Sequence, residues 1–237
     1  MSSVFFLTLR QLSGRWRLII MTALGGMPVL IAVTMLQSSS APSVQEFESY
    51  VLSAMLAGAI LPLIVLAIAS AAFANEIEDK TLANLTLAPI PRWQIVLPKL
   101  LASICIAAPF MVASAFGTSF VAFSGDWQAA LAVTAAALVG VTLYSSAFTW
   151  LGLETTRAMG YGLLYIVLWE GFFARYIAGV RFFSIRYYSI GLMRGFDARR
   201  FVTTDDLSFL FAIVASIVVL VGFILLSIRR LRHMDVP

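Results

Sequence analysis

The chain has 237 residues, of which 61% are hydrophobic and only 12% charged, with a mean hydropathy of +0.94; a soluble domain carries about 25% charged residues. This composition excludes an ordinary soluble enzyme and points to an all-α polytopic protein forming one membrane domain over residues 1–237. The net charge of +4 calls for no nucleic-acid partner, because basic loops are expected wherever arginines orient membrane spans. With Cys105 as its one cysteine and His233 as its one histidine, the chain suits neither an internal disulfide, a His/Cys metal cluster nor a serine–histidine triad.

Residues 2–17 come first. Phe5, Leu9, Leu12 and Trp16 fall on one helical stripe, with Arg10, Gln11, Arg15 and Arg17 away from it. That is the pattern of a helix lying in the membrane interface. The first span is expected at 18–36, long enough to cross a hydrocarbon core of about 30 Å. A cleaved signal peptide is the competing reading, but the run is too long for its apolar region and Pro42 crowds the cleavage candidate. Gly25, Gly26 and Pro28 mark either a kink or close helix packing. A polar loop follows over 37–49, then a second span at 50–74. Further spans are expected at 100–123, 128–153, 158–178 and 207–228, separated by polar turns at Ser124–Asp126 and Glu154–Arg157.

Between the second and third spans lies Asn75–Lys99, which holds both lysines of the chain. Asn75 with Glu78 three residues later is a capping-box pattern, so a new helix is predicted to start there. Glu76 and Lys80 stand at i and i+4 in the favourable order. Ile77, Thr81, Leu82 and Leu85 share one face, and Glu76, Asp79 and Lys80 another. Pro89 ends this short amphipathic helix, and Pro91 with Arg92 opens the next segment.

Six spans put both termini on one side. Arg10, Arg15, Arg17, Lys80, Arg92, Lys99, Arg157, Arg229, Arg230 and Arg232 lie there, while the loops at 37–49 and 124–127 carry no Lys or Arg. By the positive-inside rule that side is cytoplasmic. One external segment breaks the rule. Residues 179–206 hold Arg181, Arg186, Arg194, Arg199 and Arg200 among aromatics that include Tyr187 and Tyr188. Two accounts stay open: a helix folded back into the protein, tolerated at membrane depth when buried, or a surface anchor of arginines and aromatics at lipid headgroups.

Two charges fall within a span. Glu170 lies about 18 Å from the cytoplasmic end of the fifth span at 1.5 Å per residue, and Arg175 follows five residues later. Both are expected to face the bundle interior, near one another, either lining a substrate path or supporting the 179–206 turn. Glu76, Glu78 and Asp79 point to different faces of their helix, so no metal site is expected there. No G-x-x-x-x-G-K-[ST] stretch occurs, and the chain has no phosphate-cradling loop of that kind.

The run ANEIEDKTLANLTLAPIPRWQIVLPKLLA resembles the cytoplasmic segment of the membrane-spanning subunits of type-2 ATP-binding-cassette exporters. Glu76, Glu78, Lys80, Thr81, Leu82, Leu85, Pro89, Arg92, Ile95, Val96 and Lys99 match its acidic run, proline break and closing lysine. Lys80 stands where glycine is commonest, and Pro98 is a further departure. The resemblance implies a permease subunit of the bacterial cytoplasmic membrane, without catalysis or cofactor of its own. It would pair as a homodimer, contact membrane lipid, and work with a separate ATPase subunit that binds ATP and Mg. Glu76, Glu78, Asp79 and Arg92 would contact that ATPase, on a coupling helix that also carries Lys80, Thr81, Leu82 and Leu85. The alternative is a secondary transporter or channel, which would want more polar residues within its spans and internal repeats. The substrate is not legible in the sequence.

Overall fold

The computed structural model describes residues 2–37, 43–78, 91–201 and 207–233, and every regular element among them is helical. Helix α1 is Ser2–Leu12, α2 is Arg15–Gln37, and α3 is a continuous run that is α-helical at Val44–Phe47, π-wound over Glu48–Ile60 and α-helical again over Leu61–Ala69. Helix α4 is Ala71–Glu78, α5 is Trp93–Ala122 and α6 is Trp127–Glu154. The run α7 passes from α winding at Ala158–Leu164 through π winding at Tyr165–Phe173 to a last turn at Ala174–Tyr176. A 3-10 turn at Ala178–Phe183 leads to α8, Ile185–Phe196, and the fold closes with α9, Phe209–His233.

Among the described residues, five helices are long and apolar enough to cross a membrane: Arg15–Gln37, Val44–Ala74, Trp93–Ala122, Trp127–Glu154 and Phe209–His233. They fall where five of the six spans were expected. The remaining stretch, 158–178, is helical to Tyr176 but changes winding twice, and it is not among those five.

Three local expectations are corrected. The N-terminal stripe does not reach Trp16, because the helix breaks at Ser13-Gly14, where the Ser13 hydroxyl donates to the Arg10 carbonyl at 3.1 Å. Thr8 and Leu12 are buried and α1 packs along α5, while Trp16 opens α2 and is 77% exposed. The polar loop is shorter than 37–49, since α3 starts at Val44 behind a reciprocal capping box between Ser43 and Glu46, which satisfies the first free amides of the helix. Asn75 starts no new helix. It lies inside α4, and the irregularity sits at Ser70, whose hydroxyl bonds back to the Leu66 carbonyl at 2.6 Å. Such back-bonding bends helices. The Ser70 carbonyl also lies against Gly152 of α6, so closely that any side chain at 152 would strike it.

Helix α6 is the hub: α3, α4, α5, α7, α8 and α9 all touch it. Its buried surface is built from small residues, among them Ala129, Ala132, Ala136, Gly140, Ala147 and Gly152, which let neighbouring backbones come close. At its start, Ser124 and Gly125 adopt positive φ in a tight turn, and the Asp126 carboxylate caps the amides of Gln128 and Ala129. A side chain at Gly25 would begin 3.5 Å from the Phe110 carbonyl, so this glycine of α2 serves close packing on α5, while Gly26 meets nothing within 4 Å. Burial is uneven around the bundle. The most apolar window of α6 is 72% buried, against 22% for α2 and 11% for α9.

Candidate functional site

Two polar clusters lie at opposite ends of the bundle. At one end of the bundle, where α1 and the last turns of α9 lie, Phe73, Ile95, Val96, Leu153 and Leu231 form a small apolar cluster apart from the main core. Lys99 is fully buried beside it. Its ammonium stands 2.5 Å from Glu76 Oε1, donates to the Ala72 carbonyl at 2.6 Å, and lies 4.3 Å from the centre of the Phe73 ring. Ala72, Phe73 and Glu76 occupy the last two turns of α4, so one lysine from α5 clips that helix end by carboxylate, carbonyl and ring together. A cation is also favoured there by the helix dipole.

This clip changes the account of Glu76. Its expected partner, Lys80, lies outside the described residues, and the carboxylate is turned inward to Lys99 with 14% of the side chain exposed. Arg92 precedes α5 and is half-buried. Asp79, Thr81, Leu82 and Leu85, and the side chain of Glu78, also lie outside the described residues.

The other cluster centres on Glu170. Along α7 only Ala158, Gly162, Ile166, Glu170 and Ala174 are buried, one row at intervals of four. In pure α winding that row would drift around the helix; the wider π turn draws its later members back into line. Gly162 meets Leu66 of α3 so closely that a side chain would collide. Eight residues on, Glu170 reaches α8. Its carboxylate accepts from the Tyr165 hydroxyl at 2.9 Å, the Ile185 amide at 3.1 Å and the Ser184 hydroxyl. Three donors stabilise a buried carboxylate, and two of them are the cap residue and the first amide of α8.

Arg186 completes the join. One guanidinium nitrogen donates to the Glu170 carbonyl at 3.4 Å and another to the Ser53 hydroxyl of α3 at 2.9 Å. The group also lies on Gly58, 3.1 Å from where a side chain would begin. Ser53 and Gly58 both lie in the π-wound stretch of α3, and the guanidinium reaches from one to the other. Nearer the end of the bundle opposite the lysine clip, Arg194 holds the buried Glu48 at 2.8 Å, and Arg200 holds Asp126 at 2.8 Å above the Phe123 ring.

These contacts decide how α8 sits in the fold. It packs between α3, α6 and α9, with Arg186, Tyr188 and Leu192 buried and Tyr187 and Arg194 half-buried. That is a helix packed into the bundle, and Arg181, in the turn before it, is half-buried. The expected meeting of Glu170 with Arg175 does not occur. Arg175 follows the buried row by one position and is exposed, while its carbonyl accepts from Arg181 at 3.4 Å. The long-range partners Glu48, Ser53 and Ala72 had no signal in sequence spacing. Ser184, by contrast, could have been found as a serine cap before an apolar–aromatic run.

No curated protein matches the chain. The family model for the ABC-2 family transporter protein matches residues 6–185, a stretch that takes in the clip at Glu76 and Lys99, the Glu170 row and the start of α8. With a helical bundle carrying five helices fit to cross a membrane, the chain belongs to the ABC-2 transporter family, as a multi-pass membrane permease.

Proposed function

We propose that this permease crosses the bacterial cytoplasmic membrane six times, with α7 as the fifth span, and pairs with a second copy around a path for an exported substrate. Residues 1–237 form one membrane domain, and both termini lie in the cytoplasm, the side that collects the arginines of α1, α2 and α9. A separate ATPase subunit binds ATP and Mg and closes on the segment from Glu76 to Arg92. Glu78, Asp79 and Arg92 meet that subunit, with Lys80, Thr81, Leu82 and Leu85 on the same element. Glu76 works from behind them, at the root.

The observation that carries this reading is the Lys99 clip. A coupling element transmits force only if its base is fixed to a spanning helix, and the end of α4 is tied to α5 by a buried ion pair at 2.5 Å. Two packings of the bundle, each favoured by one nucleotide state, complete the mechanism. The second copy covers an outer apolar face of the kind that α7 offers through Leu164, Val167, Leu168 and Phe172, all exposed. Arg175 stands at the outer end of that helix, beside the proposed path.

The test is purification in gentle detergent of the chain expressed with a candidate ATPase. A stoichiometric nucleotide-binding partner, lost when Glu78 is changed to Lys, supports the reading. A clean homo-oligomer with no such partner points instead to a transporter that runs without ATP.

A further inference from the structure

A groove of about 380 Å³ runs between α6, α8 and α9. Leu143 and Leu192 form its floor, Phe196 stands at its outer end, and Ile217, 56% exposed, lines its open side. It contains two hydroxyls, and both are already spent on their own helices: Thr142 donates to the Leu138 carbonyl at 2.9 Å and Ser216 to the Ala212 carbonyl at 2.6 Å. The groove therefore asks for no polar partner along its length. An occupant there is a hydrocarbon chain, not a polar solute.

The outer end has the opposite character. Arg194 and Arg200 are committed to Glu48 and Asp126, and Arg186 is buried. Arg199 is exposed and makes no ion pair among the described residues. It follows Phe196 by three residues, a span of chain no longer than about 10 Å. A free cation thus stands within a side chain's reach of an apolar slot that opens sideways from a membrane bundle.

We propose that this groove binds one acyl chain of an anionic phospholipid from the outer leaflet, whose headgroup phosphate is held by Arg199. This goes beyond the transport reading and rests on its membrane orientation alone. The lipid covers the exposed flank of α9 and wedges α8 against α6, so occupancy favours the packing in which α8 is inserted.

The experiment measures lipid retained by the purified full-length chain, using native mass spectrometry after exchange into micelles containing equal phosphatidylglycerol and phosphatidylcholine. The wild type retains one phosphatidylglycerol per chain. Arg199→Gln loses the preference over phosphatidylcholine by about five-fold, the worth of one arginine at an anionic surface, while Arg157→Gln at the opposite end leaves it unchanged. Ser216→Phe, which fills the groove, abolishes retention of either lipid; because that variant risks misfolding, Ile217→Phe at the open side serves as the second blocking change. Equal retention in all variants overturns the proposal. So does a disulfide between two copies carrying Ile217→Cys, which would show that protein covers the groove. None of these readouts involves the ATPase, so a missing partner subunit would sink the transport reading and leave this one standing.

Discussion

Replacing Lys99 separates a buried ion pair into its parts. Lys99→Met removes the ammonium that Glu76, Ala72 and the Phe73 ring share, leaving a carboxylate that is only 14% exposed. Removing one member of a buried pair costs about 3–5 kcal/mol, because the other is left uncompensated. The two single changes should differ. Glu76 retains some access to water, so Lys99→Met belongs at the lower end, near about 3 kcal/mol; Glu76→Leu strands a fully buried ammonium and belongs near about 5 kcal/mol. The double variant Glu76→Leu/Lys99→Met replaces the pair with apolar groups and should return to within about 1 kcal/mol of wild type. Unfolding in mixed micelles of increasing denaturing detergent measures all four corners of the cycle. If each single change costs under about 1 kcal/mol, the value of an exposed pair, the clip is not the buried latch described above. The double variant then separates structure from coupling. Folded and ATPase-associated but unable to transport, it would assign force transmission to the pair itself.

Other outcomes follow from the packing. Gly152→Ala should destabilise by about 1–3 kcal/mol through overpacking, since the added methyl meets the Ser70 carbonyl. Gly160→Ala, which meets nothing within 4 Å, should be neutral or gain up to about 1 kcal/mol from helix propensity; thermal unfolding in detergent compares the two. Glu170→Ala orphans donors from Tyr165, Ser184 and Ile185, at about 1–3 kcal/mol for each one left buried, and should expose α8 to proteolysis before the rest of the bundle. Protection of α8 unchanged in that variant would refute the anchoring role. In a background with Cys105 replaced by Ala, single cysteines at Ser124 and Arg157 should label from opposite sides of sealed vesicles. Labelling from one side would overturn the orientation.

Long apolar runs bounded by polar turns carried most of the fold in the sequence. The turn at Ser124–Asp126 and the positions of five spanning helices were legible because they depend on local chemistry: a positive-φ glycine, a capping aspartate, a change in hydropathy. The start of α3 was equally local, written as Ser43 and Glu46, but the surrounding polar residues read as loop. What could not be read was pairing across the chain. Glu48 with Arg194, Ser53 with Arg186 and Glu76 with Lys99 depend on which helices neighbour one another, and i, i+4 spacing offered Glu76 a nearer partner in Lys80. Arg175 was misjudged for a related reason. Charge within an apolar run implies burial only if the residue falls on the packed row, and π winding in α7 fixes that row through Glu170 and Ala174, one position away.

The π-wound stretches of α3 and α7 have a mechanical consequence. Where π winding gives way to α winding, each amide chooses between carbonyls five and four residues back, and the choice can pass along the chain one residue at a time. Such a step turns one half of the helix against the other while the sum of backbone hydrogen bonds is kept, even where no water is present to replace a broken one. In α3 the boundary lies at Ile60 and Leu61, between the part that carries Ser53 and Gly58 and the part that runs down to the lysine clip. A torque applied at the inner end is thus met by a swivel halfway along the helix, and the guanidinium of Arg186, resting on the far side of it, is the group whose footing would change.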